Sequence, residues 1–295
     1  MASFRTAKKQ NKKEDGVLKI SFYSKEEITC PICNTNFRRE ELLTGSGRQI
    51  AGSLTDELHR LYETSAKYGD VYPLAYQSMV CPSCWFAAQP EDFLKAPEEK
   101  IDKLLETREA RKTDTALIFP PVDFTENRNL ISGAVSQYLT LVCYDYFTPE
   151  FSPAIKQGMA ALRTAWLLDE MEKKYPQQHY DWLSVLFKKK ARFFYQQALK
   201  RETTGQEPLA GLKLGPDTDQ NYGYEGVLYI AACLEYKYGE QNDQELRRKN
   251  LDELGRNVAK MFGLGKSSKG KPGPLLEKSK ALYDLIKKEL KEFDG

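Results

Sequence analysis

Two Cys-x-x-Cys turns, Cys30-Pro31-Ile32-Cys33 and Cys81-Pro82-Ser83-Cys84, constrain this chain more than any other feature. Each turn presents two thiols on one side, and two such turns together close a tetrahedral site. Four soft sulfur ligands suit Zn2+. Sulfur would fill every position, leaving none for water or substrate, so the metal is expected to be structural. Cys30, Cys33, Cys81 and Cys84 are therefore the expected zinc ligands. Proline after the first cysteine stiffens each turn. A dithiol redox pair and four unligated core thiols are the alternatives, although no βαβ pattern surrounds the cysteines.

The residue after each pair often takes positive φ. Asn34 suits that conformation and Trp85 does not, which predicts a distorted second turn. Between the pairs, residues 49–68 place Ile50, Leu54, Leu58, Leu61 and Tyr62 at steps of three and four, a spacing that predicts an amphipathic helix. Residues 17–22 (VLKISF) read as a strand. Residues 17–95 thus form a small α+β zinc-knuckle module. Residues 1–16 carry Arg5, Lys8, Lys9, Lys12 and Lys13 with one bulky anchor, Phe4, and read as a flexible basic tail.

From Glu98 onward helical patterns dominate and nothing reads as a sheet. Expected helices cover residues 130–142, 151–175, 180–202, 222–238, 243–262 and 274–293, with proline or glycine at several boundaries. The breaks at 203–221 and 263–274 are the candidate mobile loops. Ala191, Tyr195 and Ala198 have the small–aromatic–small spacing of a tetratricopeptide second helix, and Leu162, Ala165 and Trp166 precede them. Leu228, Ala231, Ala232 and Gly239, then Leu251, Leu254 and Val258, repeat the pattern irregularly. Residues 96–295 are thus expected to be a tetratricopeptide-like helical solenoid or an ordinary bundle, and the whole chain mainly α.

Charge excludes an obligate polyanion binder, since 44 Lys+Arg against 42 Asp+Glu leave a formal charge of +2. Six cysteines in 295 residues are too few for a disulfide scaffold. With no secretory leader and no apolar stretch of about 20 residues, a cytoplasmic protein without a membrane span is expected. The only histidines, His59 and His179, exclude a three-histidine metal site. His59 matches no metalloprotease or deaminase motif, and both histidines are expected at the surface. Cys143 and Cys233 sit in apolar stretches and are assigned to the core. The loop from Gly265 to Pro272 approaches a phosphate-binding GxxxxGK[ST], but Pro272 replaces the hydroxyl residue and a helix precedes it. No pattern demands catalysis.

The CPIC turn, Pro73-Leu74-Ala75-Tyr76, VCPSCWFAA with Asp92-Phe93, LRTAWLL and the repeat-like helices together resemble an uncharacterised bacterial domain-of-unknown-function family. That family joins a double-CxxC module to tetratricopeptide-like helices. The resemblance spans roughly residues 25–290 and is strongest around the second cysteine pair. It implies the same four cysteine ligands and a cytosolic bacterial protein. The expected function is that of a noncatalytic, zinc-stabilised protein–protein interaction adaptor, its helical domain gripping a peptide or helix of a protein partner. Exposed members of the cluster Tyr222, Tyr224, Tyr229, Tyr236 and Tyr238 are candidate anchors, though most are expected in the core. The rivals are a nucleic-acid-binding zinc protein, disfavoured by charge, an enzyme with its pocket at the module junction, and a thiol redox sensor.

Overall fold

A computed structural model describes residues 19–262 and 272–294. The basic tail at 1–16 and the lysine-rich loop at 263–271 lie outside the described residues.

Among the described residues, four short two-stranded antiparallel sheets occupy the N-terminal third. β1 (Ser21–Tyr23) pairs with β4 (Glu40–Leu42), and β2 (Ile28–Thr29) with β3 (Asn36–Phe37). β5 (Ile50–Leu54) pairs with β6 (Arg60–Glu63) across an irregular register, and β7 (Met79–Val80) with β8 (Ala87–Ala88). The expected strand at 17–22 begins at Ser21 among the described residues.

The helix expected over 49–68 is instead the β5–β6 hairpin. The apolar spacing there marks no single buried face: Ile50 is exposed, Leu54, Leu61 and Tyr62 are half-buried, and Leu58 alone is fully enclosed. Gly52, Ser53 and Thr55 favour extended and turn conformations over a helix. The tip closes where the amide of Thr55 donates to the carbonyl of His59 at 2.9 Å. Leu58 takes φ +60° there, a conformation an apolar residue accepts only when its surroundings secure it.

Eight α-helices follow among the described residues: α1 (Ile101–Glu106), α2 (Arg108–Ile118), α3 (Leu130–Cys143), α4 (Pro153–Lys174), α5 (Tyr180–Thr203), α6 (Gly223–Tyr238), α7 (Gln244–Phe262) and α8 (Gly273–Asp294). α3 to α8 stand where the periodicity and the breakers place them, and no strand follows Ala88 among the described residues. Asn129 opens α3 with a reciprocal cap, its side chain accepting from the Ser132 amide while Ser132 Oγ accepts from the Asn129 amide. No helix among the described residues is long and apolar enough to cross a membrane.

α4 is the axis of the molecule, buried continuously from Pro153 to Leu168. It packs antiparallel on α5, where Ala191, Tyr195 and Ala198 are all buried. Tyr195 lies so close to Gly158 that a Cβ there would stand 2.8 Å from the ring. The two helices can approach only because position 158 has no side chain. One hydrophobic cluster runs from Cys30, Ile32 and Phe86 in the hairpins through Leu139 and Leu168 to Ile286 in α8. Of the tyrosine cluster, Tyr222 and Tyr229 are buried, Tyr236 and Tyr238 half-buried and Tyr224 exposed.

Residues 203–221, a candidate mobile loop in the sequence, form a packed strap. Glu207, Leu209, Leu214 and Asp217 are buried. Arg163 on α4 holds the strap by donating to the carbonyls of Pro216 at 2.9 Å and Gly215 at 3.1 Å. Glu207 accepts from the Ala154 amide at 2.9 Å, placing a carboxylate at the positive end of α4.

Candidate metal centre and a buried histidine

The four cysteines predicted from spacing converge. Hairpins β2–β3 and β7–β8 each carry one pair at the tip, so residues far apart in sequence face one another. Cys30 Sγ lies 3.7 Å from Cys84 Sγ and Cys33 Sγ 3.6 Å from Cys81 Sγ. All four sulfurs fall within 4.8 Å of one another. Cys30, Cys81 and Cys84 are wholly buried and Cys33 is half-buried.

The two turns are built alike. The amide of residue 34 donates to the Cys30 carbonyl at 3.0 Å, and the amide of residue 85 to the Cys81 carbonyl at 3.0 Å. Cys30 and Cys81 in turn donate to the carbonyls of Thr35 and Phe86. Asn34 and Trp85 both take φ +58°. The distortion expected at Trp85 is therefore absent: Trp85 adopts the left-handed conformation despite its Cβ. Its half-buried ring meets Phe124 edge to face at 5.4 Å, which offsets the roughly 1–2 kcal/mol that conformation costs.

Polar groups surround the sulfurs. The Ile32 amide donates to Cys30 Sγ at 3.4 Å, and the Thr35 hydroxyl stands 3.3 Å from Cys33 Sγ. Buried Arg111 on α2 donates to the Cys84 carbonyl at 2.9 Å and to the Leu104 carbonyl at 2.8 Å. This ties the second turn to the helical part and sets a cation beside it. Among themselves the thiols compete for ionisation: hydrogen bonds from Cys30 and Cys84 draw the Cys81 thiol well down, while the hydrogen bond to Cys81 pushes Cys30 up to about 12. Binding of a cation would release protons from such a cage.

The remaining cysteines take no part in the cluster. Cys143 and Cys233 are buried, and burial pushes their thiols up to about 11 and about 12. Cys143 Sγ accepts from the Ala87 amide at 3.4 Å.

His179 is exposed, as expected, but His59 is not. It lies just beyond the β5–β6 tip with its Nδ1 2.5 Å from Asp217 Oδ2 and its ring flat against Trp166, centroids 4.4 Å apart at 8°. Asp217 also accepts the amide of Arg60 at 2.7 Å. Burial, the largest single influence, pushes the Asp217 carboxyl up, but the bond and charge of His59 together with the amides of Thr218 and Arg60 hold the group below the usual carboxylate range. A partner 158 positions away leaves no local motif for sequence reading to find.

The fold and site define a class: a mainly helical protein whose N-terminal hairpins bring four cysteines into a closed cluster able to hold a metal ion. The chain belongs to the family described as "uncharacterized protein conserved in bacteria (DUF2225)", whose model matches residues 23–286. It is similar to an uncharacterized protein of Borreliella burgdorferi, 39% identical over 274 residues, covering 92% of this chain and 98% of that protein. No solved structure matches.

Proposed function

We propose that this protein is a noncatalytic adaptor, in which a structural zinc ion anchors the N-terminal hairpins and tetratricopeptide-like helices hold a protein partner. The sulfur geometry supports the zinc. Four ligands at about 2.3 Å around a tetrahedral ion lie about 3.8 Å apart, close to the 3.6 and 3.7 Å between the facing sulfurs. With three of the cysteines fully buried and all four ligands sulfur, the ion has no place for a reacting molecule. Zn2+ would draw the four thiolates together, and buried Arg111 would offset part of the surplus negative charge.

A groove of about 590 Å3 between α5, α6 and α7 carries the interaction reading. Leu199, Leu228, Ala231, Leu254 and Val258 form its apolar floor, and Glu225, Glu235 and Glu253 stand on its rim with Lys260. An amphipathic helix with an apolar stripe and basic flanks complements that surface. The small–aromatic–small pattern of α5 supports the tetratricopeptide-like reading of these helices.

The test is crosslinking and co-purification from cells expressing the tagged full-length chain, with Leu228→Asp as the paired variant. A partner captured by the wild type through α5–α7 and lost from the folded variant is expected. A partner that crosslinks elsewhere, or is retained by the variant, refutes the groove.

A further inference from the structure

His59 faces a second cleft, of about 260 Å3, formed by the β5–β6 hairpin, residues 70–74 and the C-terminal half of α4. Two contacts immobilise its ring, the stack on Trp166 and the hydrogen bond to Asp217. The opposite nitrogen, Nε2, has no hydrogen-bond partner among the described residues, and the ring is part of the cleft wall. A histidine serving packing alone gains little from a buried carboxylate that orients one nitrogen while the other is left without a partner in a ring that lines a cleft. This is how a fold fixes the tautomer of an imidazole that meets a ligand.

The rest of the cleft indicates the ligand. Val71, Tyr72, Leu74 and Leu167 supply an apolar wall. The two acids on the lining are already compensated: Glu170 pairs with Lys173 at 2.7 Å, and Asp70 accepts from Thr64 at 2.6 Å with Lys174 4.0 Å away. Arg60 is paired with Asp219 at 3.0 Å. On the far side of Trp166, Glu57 is neutralised by Lys237 at 3.5 Å. A proton on His59, balanced behind by ionised Asp217, therefore leaves an outward hydrogen-bond donor that calls for an anion.

We propose that this cleft binds a small carboxylate- or phosphate-bearing molecule with an apolar body, the anion accepting a hydrogen bond from Nε2 of protonated His59. Asp217 acts as a positioning residue. The site is independent of the adaptor groove and of the metal.

Two histidines in the chain make the test direct. Benzoate and phenyl phosphate are titrated into the full-length protein while the imidazole nitrogens are followed by NMR, and affinity is read by calorimetry. Saturable movement of the His59 signals with His179 unmoved is expected. Whichever probe binds tighter tells carboxylate from phosphate. Affinity should fall about tenfold or more in His59→Gln, as for loss of a hydrogen bond to a charged group, and remain unchanged in His179→Gln. A motionless His59, equal movement of both histidines, or undiminished binding to folded His59→Gln overturns the proposal. The wild-type titration decides the question even if His59→Gln fails to fold.

Discussion

Trp166 in α4 donates its indole N–H to Glu57 Oε2 at 2.8 Å, although 109 positions separate them. Glu57 sits at the tip of the β5–β6 hairpin, and its other oxygen accepts from the Tyr238 hydroxyl of α6 at 3.1 Å. Beside it, the Asp56 carbonyl accepts from the Tyr229 hydroxyl at 2.7 Å and the Asp56 carboxylate meets Lys278 of α8 at 2.9 Å. One hairpin tip thus joins three helices to the N-terminal hairpins.

Glu57→Ala should therefore be costly. It leaves two donors without their acceptor and Lys237 without its buried counter-charge, a loss of about 2–4 kcal/mol. Urea denaturation should show the lower midpoint, with Trp166 fluorescence as reporter. An unchanged midpoint would mean the tip contributes no stability.

Metal removal should act through the same core. Elemental analysis of the wild type is expected to give one ion per chain, and Cys84→Ser, or chelation of the wild type under mild denaturation, is expected to remove it. Hydrogen-exchange protection should be lost first in β2–β3 and β7–β8. Full protection in a metal-free protein would show that the sulfurs form a core cluster and not a metal site.

Asp217 makes stability depend on acid. Its folded carboxyl lies below the unfolded value of about 3.9, held there by His59 against the cost of burial. The contribution is complete above about pH 4 and is lost as pH falls through the lower folded value. Asp217→Asn should lower stability at pH 7 and flatten its decline below pH 4. A variant with the wild-type acid slope would contradict the assignment.

Gly158 tests the axis of the helical part. A methyl at this position meets the Tyr195 ring, so Gly158→Ala should destabilise by about 1–3 kcal/mol despite the better helix propensity of alanine. Adding Tyr195→Leu should recover part of the loss, and the double-mutant cycle measures the coupling. Additive losses would mean the close approach is not what the glycine serves.

What the sequence determined by itself is local. The two CxxC turns and α3 to α8 rest on neighbours within a turn or two, so spacing and breakers reveal them. The family resemblance rests on the same short motifs, and the family match agrees with it over most of the chain. At residues 49–68, local apolar spacing misled, because Leu58 alone of these residues is enclosed in the core while Ile50 faces solvent.

Only the tertiary structure decided the rest. The similar shape of the two cysteine turns, despite Trp85, depends on a ring contact with Phe124. The packed strap depends on Arg163, and His59 became a buried, oriented group because Asp217 and Trp166 reach it from the strap and from α4. Ligand pairs and helix faces are written in periods of three and four residues. Burial and hydrogen-bond partnership are properties of the closed core, and two residues 158 positions apart meet only once every intervening element has packed.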